Sequence, residues 1–288
     1  MSNLTLSAFA DEIDNNLTAQ MDVLDSHNIK YIEIRGVYGK NISEHTLQEV
    51  SDIKQQLDKR GFKISAIGSP IGKIQITDDF TAHFKLFQHI TEMAKILQTN
   101  YIRIFSFYMP EGSTPGLYRD EIISRLEEMT TYAASRGITL LHENEKDIYG
   151  DIPERCLDIL ETVNSKFLKA TFDPANFIQC GVQPYPDAYS LLKKHIEYIH
   201  IKDALFRDAS VVPAGYGDGR IKDLLMNLND DNYSGFLSLE PHLASFTGLQ
   251  NLEFRSKIPV KAESNGETRF AIAVDALNKL LKEIDAQA

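Results

Sequence analysis

The sequence predicts an α/β fold with a single domain over residues 1–288, a (β/α)8 TIM barrel. Strand-like segments rich in apolar and β-branched residues alternate eight times with helix-like segments. No linker or low-complexity tract separates two domains. Residues 7–11, at the end of the first predicted strand, read Ser-Ala-Phe-Ala-Asp and lack a glycine-rich dinucleotide turn. A doubly wound open sheet is therefore the second choice.

The predicted elements follow one another along the chain. The strands share runs or alternations of apolar residues and lie at 4–10, 31–35, 62–69, 101–107, 138–141, 168–173, 198–202 and 235–240. Helical spacing follows each strand, at 16–24, 44–59, 80–97, 118–135, 153–163, 187–195, 221–228 and 269–284. In the first helix Leu17, Met21 and Leu24 share one face, and Gly137 follows the fourth helix as a C-cap. Residues 244–268 form a longer, more polar connection, for which a lid, an extra helix and an oligomer contact are the alternatives.

The composition excludes several classes of protein. With 30 basic and 41 acidic residues the net charge is −11, so we expect no nucleic acid partner and no attraction to an anionic membrane. The chain does not begin with a basic segment followed by an apolar core, and no apolar run approaches the roughly 20 residues of a membrane span. The two cysteines, Cys156 and Cys180, lack the pattern of a disulfide framework or a thiolate zinc site. These features predict a cytoplasmic protein.

Polar side chains stand at the ends of four consecutive predicted strands. The fifth strand stops at His-Glu-Asn-Glu-Lys, residues 142–146, and the next three end at Asp173, His200 and Glu240. A carboxylate at the end of a buried strand is costly unless a cation or hydrogen bonds satisfy it. In a barrel the carboxyl ends of the strands form the active-site face, so these side chains are expected to converge there.

The converging side chains have the composition of a metal site. Glu143, Asp173, His200 and Glu240 supply three carboxylates and one imidazole, a hard donor set that suits Mn²⁺, Mg²⁺, Co²⁺ or Zn²⁺. Glu145 shares the strand side of Glu143 and competes with it as the ligand. For each acidic residue at a strand end, the alternative is that its carboxylate caps the following helix or binds a neighbouring loop.

The motifs around these residues resemble those of the xylose isomerase-like TIM barrel superfamily, and within it the sugar phosphate isomerase/epimerase family. They are His-Glu-Asn-Glu at Glu143, Thr-Phe-Asp-Pro-Ala-Asn at Asp173, Ile-His-Ile-Lys-Asp at His200 and Ser-Leu-Glu-Pro-His at Glu240. The resemblance implies one divalent metal ion held by these four residues. It also implies that Glu143 and Glu240 are catalytic and move protons.

The resemblance implies an enzyme of carbohydrate metabolism. The reaction it implies is isomerisation or epimerisation of a small-molecule carbohydrate through a metal-stabilised enediolate. A lyase or dehydratase that acts on an inosose or a 3-keto-sugar is the alternative, because the same site can expel a β-substituent. A non-catalytic sugar-binding barrel and an endonuclease IV-like enzyme rank lower. Relatives are often dimers or tetramers, so a homo-oligomer is compatible with the resemblance.

Four residues are candidates for substrate binding: Lys202, Asn176, His242 and Glu145. Many relatives have a histidine at the position of Asn176, so here an amide is expected to contact the substrate. Lys202 is expected either to bind a substrate oxygen or to pair with Asp203 or another acid. For His242 a hydrogen bond to a loop is the alternative.

Two further features are open at this stage. Glu33, Arg35 and Arg103 are expected to form a buried ion pair in the barrel interior, with substrate contact as the second interpretation. The glycine-rich segment 213–219 follows the seventh strand, where some barrels bind phosphate. A mobile rim loop and a phosphate cradle are its two interpretations.

Overall fold

Eight parallel strands close into a barrel in the computed structural model of the protein, which describes residues 3–243 and 265–285. The strands are β1 Asn3–Ala8, β2 Tyr31–Ile34, β3 Lys63–Gly68, β4 Tyr101–Ile104, β5 Thr139–Glu143, β6 Leu168–Phe172, β7 Ile196–Ile201 and β8 Ser234–Leu239. Each strand pairs with the next in sequence, and β8 closes on β1 with Ser238 opposite Ser7. The prediction of a (β/α)8 barrel is confirmed.

Helices surround the barrel. They are α1 Leu17–Ser26, α2 Leu47–Lys59, α3 Phe80–Leu97, α4 Arg119–Ala134, α5 Pro153–Val163, α6 Pro174–Gln179, α7 Tyr189–Leu192, α8 Ile221–Asp230 and α9 Gly266–Asp285. Side chains fix several of the starts: Asn16 caps α1, and Thr46 forms a capping box with Glu49 at α2. Gly137 has φ +69° just after α4, which agrees with its predicted role at the helix end.

Two elements differ from the sequence prediction. The helix predicted at 187–195 is reduced to α7, and an irregular turn at Pro184–Ala188, in which Tyr185 has an extended backbone, precedes it. Two prolines in that turn remove backbone donors and prevent a regular helix. The six-residue helix α6 is additional, because it is too short to show a helical period in the sequence. Most of the connection predicted at 244–268 lies outside the described residues.

The core has an outer and an inner part. The outer part lies between the strands and the apolar faces of the helices, and Leu17, Met21 and Leu24 are buried there as predicted. Inside the barrel, Ala66, Leu141 and Tyr198 form a separate cluster. The Tyr198 ring lies 5.9 Å from the His200 ring, so this inner layer is the floor beneath the strand tips. In the part of the chain that the structure describes, every helix is too short or too polar to cross a membrane.

Candidate metal centre and active site

The four polar strand tips meet at the carboxyl end of the barrel. Glu143 is the last residue of β5, Asp173 and Glu240 directly follow β6 and β8, and His200 lies near the end of β7. All four are buried, and each offers a ligand atom within 4.8 Å of the others. These side chains form a single cluster, as the polar strand ends predict.

His200 is the centre of this cluster. Its Nδ1 atom lies 3.2 Å from Glu143 Oε1, 3.4 Å from Glu240 Oε2 and 3.7 Å from Asp173 Oδ2. Three buried carboxylates around one point repel one another unless positive charge stands between them. Glu143 Oε2 is buried and makes no hydrogen bond within the described residues. A donor set of three carboxylates and one imidazole, with a Glu143 oxygen that accepts no hydrogen bond among the described residues, fits a divalent cation.

Glu145 does not join the cluster. Its Oε2 pairs with Lys73 Nζ at 3.0 Å, and its Oε1 accepts the backbone N–H of Lys146 at 2.9 Å. The strand ends at Glu143, so the alternation that placed both glutamates on one side does not extend to Glu145. The geometry therefore places Glu143, and not Glu145, beside His200.

Asp173 combines two of the expected interactions. Its Oδ1 accepts the backbone N–H of Asn176 at 2.9 Å and caps α6, which is the alternative considered for every strand tip. Its Oδ2 faces the cluster and lies 3.1 Å from Lys202 Nζ. The helix start thus fixes the carboxylate while one oxygen stays directed at the site.

The Asn176 amide links two functional groups. Its Nδ2 donates to Glu143 Oε1 at 3.0 Å and to the backbone oxygen of Asn144 at 3.0 Å. Its Oδ1 accepts from Lys202 Nζ at 2.8 Å. The side chain is buried, and a direct bond to substrate would require the exchange of one of these partners.

Lys202 is buried among carboxylates. Besides Asp173 it contacts Glu240 Oε2 at 3.3 Å. Burial disfavours the charged ammonium, but the carboxylates of Asp173 and Glu240 outweigh it and raise the pKa of Lys202 above its usual value. The expected pairing with Asp203 is wrong, because the Asp203 carboxylate accepts backbone N–H groups of the following loop. The alternative of another acid partner is correct.

The two glutamates of the cluster are held differently. Burial opposes the charge of Glu143, but His200 and Arg103 lower its pKa to about 2. For Glu240, burial is outweighed by Lys202 and His242, and its pKa lies well below the usual value. Both carboxylates are therefore ionised at neutral pH. Glu240 receives a hydrogen bond on each oxygen, from Arg35 at 2.8 Å and Lys202, whereas Glu143 keeps Oε2 without one.

Arg35 holds a second acidic group next to Glu240. Its guanidinium donates to both carboxylate oxygens of Asp11 at 2.8 and 3.0 Å and to Glu12 Oε1 at 3.1 Å. His242 lies here as well: its backbone N–H donates to Glu12 Oε2 at 2.7 Å, and its Nε2 is 3.4 Å from Glu240 Oε1. Glu12, Glu240 and His242 could by distance hold a metal ion. Arg35 already supplies the cation at this position.

The glycine-rich loop at 213–219 is anchored to the barrel. The N–H groups of Gly215, Gly217 and Gly219 donate to the buried Asp203 carboxylate at 2.9, 3.0 and 2.9 Å. A side chain at Gly217 would come within 2.3 Å of Asp203 Oδ1, so the close approach requires glycine. The loop thus surrounds a carboxylate of its own chain.

The sequence prediction missed the partner of Glu33. Glu33 was expected to pair with Arg35 or Arg103, but its carboxylate faces His200 Nε2 at 3.2 Å. Arg103 Nη1 lies 3.2 Å from Glu143 Oε2 instead. The register of β2 against β3 shifts between Ile32 and Glu33, and such an irregularity redirects side chains. The alternation of side chains along β2 predicted that Glu33 lies inside the barrel, but it does not indicate which residue Glu33 contacts.

Comparisons with known proteins agree with this architecture. A family model described as a xylose isomerase-like TIM barrel matches residues 21–279. A search of curated proteins found no match.

Three solved structures illustrate the similarity. A D-tagatose 3-epimerase-like protein aligns with a TM-score of 0.71 and 18% identity over 97% of this chain and 99% of that one. The IOLI protein, described with a binding zinc atom, aligns with a TM-score of 0.72 and 17% identity over 98% and 99%. The probable 3-DHS dehydratase AsbF from Bacillus anthracis, described as involved in petrobactin synthesis, aligns with a TM-score of 0.71 and 16% identity over 96% and 99%. Identities this low establish a shared fold.

Proposed function

We propose that this chain, which belongs to the xylose isomerase-like TIM barrel family, is a divalent-metal-dependent sugar isomerase or epimerase. The observation that carries the proposal is the buried cluster of Glu143, Asp173, His200 and Glu240 at the carboxyl end of the barrel. In this proposal the four residues hold one metal ion, Mn²⁺, Mg²⁺, Co²⁺ or Zn²⁺. When bound, the metal would polarise a substrate carbonyl and supply positive charge near the oxygens that become negative. Zinc and magnesium accompany structures of similar fold, which supports a divalent ion without selecting one.

Glu143 is suited to remove a proton from carbon. Asn176 holds its Oε1 at 3.0 Å, and its Oε2 is free of hydrogen bonds within the described residues. A general base needs an unshared oxygen directed at the substrate and a fixed orientation. The hydrogen bond from Asn176 supplies the fixed orientation, and Oε2, which lies 3.2 Å from Arg103 Nη1, is the oxygen that would take the proton in this proposal.

Glu240 approaches the site from another direction, since β6 and β7 separate it from Glu143 in the barrel wall. In an epimerisation Glu240, which is ionised at rest, would take up a proton from solvent and return it to the second face of the same carbon, and the proton held by Glu143 would leave to solvent before the next turnover. The hydrogen bonds from Arg35 and Lys202 orient Glu240 for that step. Its substitution is therefore expected to affect proton return and metal binding together.

Lys202 and Arg103 supply fixed positive charge where the substrate becomes anionic. Lys202 Nζ lies 3.1 Å from Asp173 Oδ2, and Arg103 Nη1 lies 3.2 Å from Glu143 Oε2, so both adjoin the cluster. Preorganised cations beside developing negative charge stabilise the transition state without reorganisation. We assign these two residues to substrate and intermediate stabilisation.

A lyase is the second candidate. The similarity of the fold to a probable dehydratase supports it, because removal of the same proton can be followed by loss of a β-hydroxyl or glycosyl group. The base would again be Glu143, and the substrate an inosose or a 3-keto-sugar. The two candidates differ in the fate of the substrate after proton removal.

Proton exchange measured by NMR in D₂O distinguishes these candidates. The protein is loaded with each of the four metals and incubated with ketoses, inososes and 3-keto-glycosides. Deuterium incorporation without loss of the sugar skeleton indicates epimerisation or isomerisation, and an unsaturated or cleaved product indicates a lyase. Glu143→Gln should lower the exchange rate by about 100-fold or more. Its metal content is measured in parallel, since Glu143 is also a proposed ligand.

Glu197→Gln is the matched control. Glu197 lies on β7, as His200 does, but accepts a hydrogen bond from the Tyr101 hydroxyl at 2.6 Å, away from the cluster. Its exchange rate should equal that of the wild type. Wild-type exchange in Glu143→Gln would refute the assignment of the base, and absence of both exchange and product across the panel would refute the function.

A further inference from the structure

Glu33 lies behind His200, on the side of the imidazole that faces away from the four-residue cluster. We propose that Glu33 is a positioning residue that makes Nδ1 of His200 the atom that binds the metal. The proposal rests on the metal site of the proposed function and assigns it a determinant outside the ligand set. Both side chains are completely buried, with 0% of each exposed.

The two nitrogens of His200 have separate partners. Nε2 lies 3.2 Å from Glu33 Oε2 and 3.4 Å from Glu33 Oε1. Nδ1 faces the carboxylates of Glu143, Glu240 and Asp173, all within 3.7 Å. The ring therefore stands between one acid on its outer edge and three acids on its inner edge.

An ionised carboxylate can only accept a hydrogen bond, whereas a neutral imidazole carries one N–H and one lone pair. With Glu33 on Nε2, the N–H belongs on Nε2 and the lone pair on Nδ1, directed at the cluster. With a metal ion among the three carboxylates, the opposite tautomer would direct its N–H at the cation and its lone pair at the Glu33 carboxylate, which is unfavourable on both sides of the ring. A carboxylate on the second nitrogen also makes a histidine a stronger metal ligand.

Packing constrains the plane of the imidazole ring. The Phe9 ring lies 5.3 Å from the His200 ring at 81°, and the Tyr198 ring lies 5.9 Å away at 85°. Both aromatic rings meet the imidazole edge to face. With the ring plane held in this way, the carboxylate of Glu33 determines which nitrogen is protonated.

Two substitutions separate the role of the charge from that of the hydrogen bond. Glu33→Leu removes the acceptor and should weaken metal binding by about 10- to 100-fold, the range found for partners behind metal-binding histidines. Glu33→Gln keeps the size and an oxygen acceptor, so its metal dissociation constant should lie between those of the wild type and Glu33→Leu. Glu197→Gln, a carboxylate on the histidine's own strand, should bind metal as the wild type does.

The measurement has two parts. Titration with Co²⁺, followed by its visible absorption and by competition with a chelator, gives the dissociation constants of the four proteins. Long-range ¹H–¹⁵N NMR of histidine-labelled, Zn²⁺-loaded protein reports the tautomer. The His200 ring of the wild type should show a protonated Nε2 and a metal-bound Nδ1. In a folded Glu33→Leu this signature should be weakened or lost, whereas a merely structural role of Glu33 would leave it unchanged.

Each result has one interpretation. A metal-bound Nε2 in the wild type, or equal affinities of wild type and a folded Glu33→Leu, would refute the role of Glu33. If Glu33→Leu does not fold, the role of Glu33 is judged from the tautomer of His200 in the wild type and from the metal affinity of Glu33→Gln. A wild type that binds metal but exchanges no substrate proton would refute the proposed function and leave the Glu33 assignment to be judged by the tautomer. Failure of the wild type to bind any of the four metals would refute both.

Discussion

The Asn176 amide connects two charged groups of the candidate site. It donates to Glu143 and accepts from Lys202, and so fixes the separation of the base and the cation. The sequence predicted a substrate-binding amide at this position. The contacts in the structure favour a role in the orientation of the other two side chains, a distinction that kinetics can resolve.

Asn176→Ala should lower kcat by about 10- to 100-fold, since a misplaced catalytic group of this kind reduces the rate to that extent. KM should change much less, because the amide lies against Glu143 and Lys202. Steady-state kinetics on a substrate found by the exchange panel tests this, with Glu197→Gln as the control. A raised KM with unchanged kcat would restore the substrate-binding interpretation.

At the scale of elements, α3 supports the loop that carries Lys73 to the site. The backbone N–H of Gly72 donates to Nε2 of the buried His83 at 2.8 Å. Gly72 has φ +88°, and a side chain there would lie 2.0 Å from the Phe105 carbonyl oxygen, so the loop requires glycine. Lys73, the next residue, pairs with Glu145 at 3.0 Å. A helix side chain thus holds the rim ion pair in place.

This helix–loop contact should be sensitive to acid. Burial, followed by the charge of Arg125, lowers the pKa of His83 from 6.5 to about 4. Well above pH 6.5 the His83 imidazole is neutral in both the folded and the unfolded protein. Below it the unfolded chain binds the proton first, so the stability contribution is lost progressively down to pH 4. The loss should be roughly 2 kcal/mol at pH 5.

Urea unfolding at pH 7 and pH 5 measures this loss, and His83→Gln, which keeps an acceptor for Gly72, should reduce it. An equal loss of stability in both proteins would show that other groups control the acid response.

At the scale of the whole molecule, the proposed metal site joins the ends of β5, β6, β7 and β8. A ligand that binds only the folded protein stabilises it by about 2.7 kcal/mol at one hundred times its dissociation constant. Saturation with metal should therefore raise Tm by about 5 °C, and a chelator should reverse the change. Calorimetry tests this, with His200→Gln expected to show no shift. A wild-type Tm that changes with neither metal nor chelator would contradict the proposed metal site.

Sequence reasoning predicted the barrel well, because every strand and almost every helix carries its own local period. It also brought together Glu143, Asp173, His200 and Glu240, since alternation and the common carboxyl edge suffice to place strand tips. The partners of Glu33 could not be predicted in the same way. They depend on a register shift in β2 and on contacts between residues far apart in sequence, such as Glu33 with His200.

The floor of the barrel has a consequence for the fate of isotopic labels. Ser65 bonds to Ser7 at 2.6 Å and to the Tyr198 hydroxyl at 2.8 Å, which ties the inner layer together beneath His200. A proton that Glu143 removes therefore lies above a hydrogen-bonded floor, and the Lys202 ammonium is one of the N–H groups beside it with which it can exchange. Its escape to bulk solvent runs through the mouth. Return of the substrate's own hydrogen by Glu143 then competes with its exchange with solvent, so starting sugar recovered after partial reaction should keep part of its original label.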